Sequence, residues 1–160
     1  MSRELLDKLE SWYDDEQHDQ IAEAIEQLPE SERDYEIVSH YGRALNNLGR
    51  YTEALDQLLS IEQQGRQDSV WHWRIGYSYF FLQQWEEALS AFEQADKLEP
   101  DETTQEFMGY CHDIMERQAE AIKEINRVPF RERDFSQFWE RSDYADKNYV
   151  EEPPTAEMIA

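Results

Sequence analysis

Apolar residues recur along this chain at three- and four-residue spacing, in blocks that repeat. In the clearest block Ile75, Gly76, Tyr79 and Leu82 share one helical face, and Trp85, Ala88, Leu89, Phe92 and Ala95 share the next. The spacing predicts two amphipathic helices, over roughly residues 70–83 and 86–98, joined by a turn at Gln83-Gln84. Pro100 ends the second, because its ring cannot continue a helix and it biases Glu99 away from helical geometry.

The same block occurs more than once. Of the five glycines, Gly42, Gly76 and Gly109 stand 34 and 33 residues apart, each behind a large apolar residue (Tyr41, Ile75, Met108). Twelve residues after each comes an alanine: Ala54, Ala88 and Ala121. Four residues further stand Leu58, Phe92 and Ile125, and then Ile61, Ala95 and Val128. A fixed period of this length marks a stacked-repeat architecture. The small residues predict close backbone approach, with Gly76 facing Ala88 across an antiparallel helix pair. Gly49-Arg50 is expected to turn the first unit, and Gly65 to cap its end.

The stretch His72-x2-Ile75-Gly76-x2-Tyr79, Ala88-x3-Phe92-x2-Ala95 and Pro100 resembles the tetratricopeptide repeat, with His72 where that pattern has Trp. Unit 35–68 keeps Gly42, Tyr51, Ala54 and Leu58 but has Arg66 in place of the closing proline. Unit 102–135 keeps Gly109 and Ala121 but has Gln118 where Tyr51 and Trp85 sit. Residues 1–34 look like a shortened, degenerate leading pair, with Ile21, Ala24, Ile25 and Leu28 ahead of Pro29. The resemblance implies an all-α solenoid of antiparallel helix pairs in a right-handed superhelix. It also implies a non-enzymatic interaction module that binds a peptide or partner helix in a concave groove.

Residues 136–160 read as a capping helix or linker, and the aromatic run from Phe130 to Trp139 as a cover for the last repeat. Phe138 through Pro154 is similar to the start of SUKH-type domains of bacterial toxin-immunity proteins. Thr155 looks like an N-cap with apolar residues just behind it, so we expect a fragment of a longer protein. That gives an alternative function: a regulatory or spacer domain of an immunity protein whose active domain lies beyond this chain.

Charge narrows the partners. Thirty-seven acids against 15 Lys and Arg give a net charge of −22. Such a surface repels nucleic acid and anionic membranes, and favours basic protein partners. Residues 1–34 alone carry 12 acids and 3 bases. Aromatics make up 13% of the chain, too many for a disordered acidic tail. The start, Met1 to Asp7, is not a secretory segment, and the longest uncharged run, Ile75 to Trp85, is too short to span a bilayer. A single cysteine, Cys111, cannot form an internal disulfide, and a cytoplasmic location is expected.

No catalytic, metal or cofactor site is expected. The chain has no i, i+4 histidine pair, no C-x-x-C and no HExxH. His72 and His112 are expected to pack partly buried, His112 in the place of Tyr79. One surplus feature remains on the helix over 70–83: a second stripe of Trp73, Tyr77, Phe80 and Phe81. In the family the first helix of each pair lines the groove, which implies Arg43, Asn46 and Asn47, then Trp73, Tyr77, Phe80 and Phe81, then Tyr110. The alternative for the stripe is burial under neighbouring helices. Co-chaperones of this family clamp carboxylate tails with Lys, Asn and Arg. This chain offers only Arg43, Asn46 and Asn47 there, which disfavours chaperone-tail binding.

Overall fold

A computed structural model describes residues 3–127. The aromatic run 130–139, the cap or linker at 136–160, the immunity-domain resemblance and the second half of unit 102–135 beyond residue 127 lie outside the described residues. Those described are all helical, with no strand: α1 (Arg3–Asp14), α2 (His18–Glu26), α3 (Tyr35–Asn47), α4 (Tyr51–Leu59), a short α5 (Glu62–Gly65), α6 (Ser69–Phe81), α7 (Trp85–Leu98) and α8 (Glu102–Ile125), with a 3-10 turn at Glu30–Glu32. Successive helices pack on their neighbours, as in a helical-repeat fold.

Two local devices set the repeat. The first is an aspartate at the start of each leading helix. Asp34 accepts the amide of Ile37 at 3.0 Å, Asp68 that of Val70 at 2.9 Å, and Asp101 that of Thr104 at 2.9 Å. A carboxylate there satisfies an amide that the helix leaves without a partner. Asp68 also accepts the Tyr35 hydroxyl at 2.6 Å, tying the start of α6 to the start of α3. The second device is the turn inside each pair. Glu16, Gly49 and Gln83 have φ of 57°, 76° and 62°. At each, two amides bond back to the preceding helix, as in Arg50 N to Leu45 O and Gln84 N to Tyr79 O, both 2.9 Å. This is the left-handed closure that reverses a helix. Only Gly49 takes that conformation without a Cβ penalty.

Packing repeats with the same period. A Cβ on Gly42 would sit 2.5 Å from Leu58, and a Cβ on Gly76 would sit 2.7 Å from the Phe92 ring. The residue that meets Gly76 is therefore Phe92 and not Ala88, because a large side chain and not a second small one fills the space that glycine leaves. Gly65 likewise does not act as a left-handed cap. It sits at the end of α5 under the Trp71 indole, which a Cβ there would strike. The Trp71 indole N–H donates to the Leu58 carbonyl at 2.7 Å. The core runs as three patches. Leu9, Ile21, Ile25, Ile37 and Leu45 join α1–α3, with Ala54 of α4. Leu55, Leu58, Trp71 and Ile75 join α4 to α6 and α7. Phe80, Phe92, Cys111 and Ile114 join α6–α8.

The third unit departs from the expected pair. No turn forms near Gln118, and α8 continues unbroken for 24 residues through the place where the two earlier pairs reverse. The run Ile114-Met115-Glu116-Arg117-Gln118-Ala119-Glu120 holds good helix formers and no glycine, so nothing local stops it. His112 is accordingly exposed, while His72 is buried with its ring nitrogen 3.0 Å from the Arg66 carbonyl. Gly109, on the same grid as Gly42 and Gly76, has nothing within 4 Å of a built Cβ. Gly109→Ala is therefore expected to stabilise the chain by about 0.5–1 kcal/mol, through helix propensity alone. A higher urea midpoint with an unchanged slope checks it. A loss of stability would mean that this site is packed.

Candidate functional site

The leading helices α3, α6 and α8 follow the capping aspartates, and side chains on α3 and α6, with Tyr13 of α1, line a cavity of about 240 Å³. Tyr13 comes from α1, Arg43, Asn46 and Asn47 from α3, and Val70, Trp73, Arg74 and Tyr77 from α6. A second cavity of about 410 Å³ opens between the start of α6, the end of α7 and the start of α8. Val70 and Trp73 line both, so the two cavities adjoin along these side chains. The far end of the second is built by Glu99, Pro100, Asp101 and Thr104.

The residues expected at the groove divide. Arg43, Asn46, Asn47, Trp73 and Tyr77 share the first cavity. Asn46 is spent within it: it is only 5% exposed, its Oδ1 lies 2.7 Å from the Ser78 hydroxyl, and its Nδ2 donates to the Arg74 carbonyl at 3.1 Å. Its role is to join α3 to α6. Phe80 is fully buried between α6, α7 and α8, with Trp85 5.2 Å and Phe107 5.0 Å away by ring centroid. It belongs to the core because α6 is covered on that side by α8. Phe81 stacks on Tyr51 at 4.9 Å and 13°. Tyr110 packs half-buried against Phe107, centroid to centroid 5.4 Å. Trp73 and Tyr77 stay half-buried, and Trp73 meets Phe107 edge-on at 5.1 Å.

Electrostatics set this groove apart from the rest of an acidic chain. The Arg43 guanidinium lies 3.5 Å from the Tyr13 ring centroid, 3.0 Å from His40 Nδ1 and 3.7 Å from Glu10. Its Nε is buried with no hydrogen-bond partner. Arg43 donates to His40 Nδ1, so the ring carries its proton on Nε2, 3.4 Å from Glu10. Burial, and then the Arg43 charge, hold His40 below its usual pKa. Arg74 donates to the Ser39 carbonyl at 3.0 Å and has no carboxylate within 4 Å among the described residues. Burial foremost, and then Arg43, push its pKa down to about 10.

Sequence reasoning missed Tyr13, Val70 and Arg74. A signal for α6 existed: Val70, Trp73 or Arg74, and Tyr77 form their own three-to-four spacing beside the stripe that was read. Tyr13 had no such signal, because its place depends on how α1 leans on α3.

Cys111 is fully buried and burial pushes its thiol up to about 12, so it is unsuited to nucleophilic work. Among the described residues no three His, Cys, Asp or Glu converge on a point, and no helix is long and apolar enough to cross a membrane. A family profile described as Tetratricopeptide repeat matches residues 72–102, which cover α6 from His72, all of α7 and the first residue of α8. No curated protein and no solved structure matches the chain.

Proposed function

We propose that this chain, whose residues 72–102 match the tetratricopeptide-repeat profile, is a non-enzymatic protein-interaction module holding an extended peptide in the groove along α3, α6 and the start of α8. One observation carries the reading. Half-buried Trp73 and Tyr77, exposed Val70, the Asn47 amide and two guanidiniums share a single cavity. Rigid aromatics supply contact area at low entropy cost, and amides and guanidiniums satisfy a peptide backbone or acidic groups. The groove is too open for a buried small-molecule site and suits a chain that enters and leaves it.

Trp73 and Tyr77 are poor choices for a binding test, since both also pack on the aromatic core. Val70 is better. It is 43% exposed, lines both cavities and lies in the first turn of α6, where an acidic side chain agrees with the helix dipole. Val70→Glu is expected to keep the native melting curve and to weaken, by roughly tenfold or more, peptides selected on the wild-type chain from a random display library. Selected peptides that bind Val70→Glu and wild type equally would place the interaction elsewhere and overturn the proposal.

A further inference from the structure

The groove differs in charge from one end to the other. We propose that the groove is polarised, and takes an extended partner segment bearing a carboxylate at one end, an ammonium or guanidinium at the other, and an apolar side chain between them. This rests on the groove being the binding surface.

The cationic end is Arg43 and Arg74. Two like charges face one cavity, with Arg43 only loosely paired to Glu10 at 3.7 Å and Arg74 bonded to a neutral carbonyl. A carboxylate entering there relieves the repulsion and supplies acceptors in the planar geometry that guanidinium favours. The anionic end is Glu99 and Asp101. Both are exposed, and neither has a cation within 4 Å among the described residues. Their recorded partners are hydroxyls and amides: Ser69 on Glu99 at 3.0 Å, and Thr104 on Asp101. A lysine or arginine could lay its stem along Pro100 and Trp73 and its head against these oxygens.

Val70 and Trp73 form the apolar middle. The cationic end spans α3 (Arg43) and α6 (Arg74), and the anionic end lies where α7 gives way to α8 (Glu99, Asp101); the outermost members, Arg43 and Asp101, are on α3 and just before α8. Two helix spacings of about 8–10 Å each correspond to about five or six extended residues. The pattern also excludes simpler partners. A uniformly acidic segment meets the net charge of −22, and a uniformly basic one meets Arg43 and Arg74. The basic partner expected from net charge is thereby narrowed to a segment that carries both charges.

Calorimetric titration of the full chain with synthetic peptides tests this. The parent peptide carries glutamate and lysine five residues apart around leucine and phenylalanine, made in both chain directions. Companions replace glutamate by glutamine, lysine by norleucine, or both. The doubly charged parent should bind tightest in one direction, and each neutralisation should cost about three- to fivefold. Arg43→Gln should erase the glutamate-dependent gain only, and Glu99→Gln the lysine-dependent gain only. The peptide-side replacements carry the test even if Arg43→Gln perturbs α1. Half-molar salt should compress the differences. If the neutral peptide binds as tightly as the parent and Val70→Glu still weakens it, the polarity is wrong and the groove stands. If the gains appear but do not follow Arg43 and Glu99, the assigned ends are wrong. If no peptide binds, neutral or charged, the groove and its polarity both fall.

Discussion

Phe92→Ala is expected to lower the stability of the chain by about 3–5 kcal/mol. Phe92 is wholly buried, and its ring lies on the bare backbone of α6 at Gly76, with Trp73 at 5.2 Å and Phe107 at 5.5 Å by centroid. Truncation leaves a space bounded on one side by a residue with no side chain to move into it. The loss should be near the top of the range for that reason. Chemical denaturation followed by tryptophan fluorescence and by far-ultraviolet circular dichroism measures it. A double substitution sharpens the point. Gly76→Ala should be destabilising in the native chain, where its methyl meets the ring, and stabilising beside Phe92→Ala, where the methyl fills the vacancy. A cost below about 1 kcal/mol for Phe92→Ala would contradict the packing described.

The second large effect is polar. Asn46→Leu keeps the number and branching of the side-chain heavy atoms, though its methyls are bulkier than the amide, and removes the acceptor facing the Ser78 hydroxyl and the donor to the Arg74 carbonyl. Ser78 is fully buried, and its single hydrogen then has only the Arg74 carbonyl at 3.1 Å. The expected cost is about 1–3 kcal/mol, because the loss is of desolvated groups left unmatched. Adding Ser78→Ala should recover part of it, since removing both partners leaves less unsatisfied than removing one. A thermodynamic cycle over the four proteins gives the coupling directly. If Ser78→Ala makes Asn46→Leu worse, the two side chains do not act as a pair.

These two sites also show what could be read in the chain before its shape was known. The period was plain, because glycine, alanine and a large apolar residue recur at fixed offsets, and each has a steric reason to do so. The capping aspartates Asp34, Asp68 and Asp101 keep the same period and were equally open to view. The turns at Glu16 and Gln83 were harder. Neither residue favours a left-handed backbone, so tertiary packing must hold them there. The extended α8 shows a template overriding local evidence, since nothing between Ile114 and Glu120 favours a reversal. At the groove, the aromatic line on α6 was visible, but periodicity cannot say which neighbour covers which face. Phe80 therefore looked like Tyr77 until α8 was placed over it. Asn46 looked like a ligand because a buried amide and a binding amide have the same letter.

The paired contacts at Gly42 and Gly76 have a last consequence, for how the units could be rearranged. One glycine receives Leu58 and the other Phe92, so the same helix crossing is filled by two different volumes. Exchanging α4 for α7 would press an aromatic ring where an isobutyl group fits, and leave a gap in the other pair. The units share a blueprint but are not interchangeable, and their order along the chain is written into the size of the side chain that each glycine accepts.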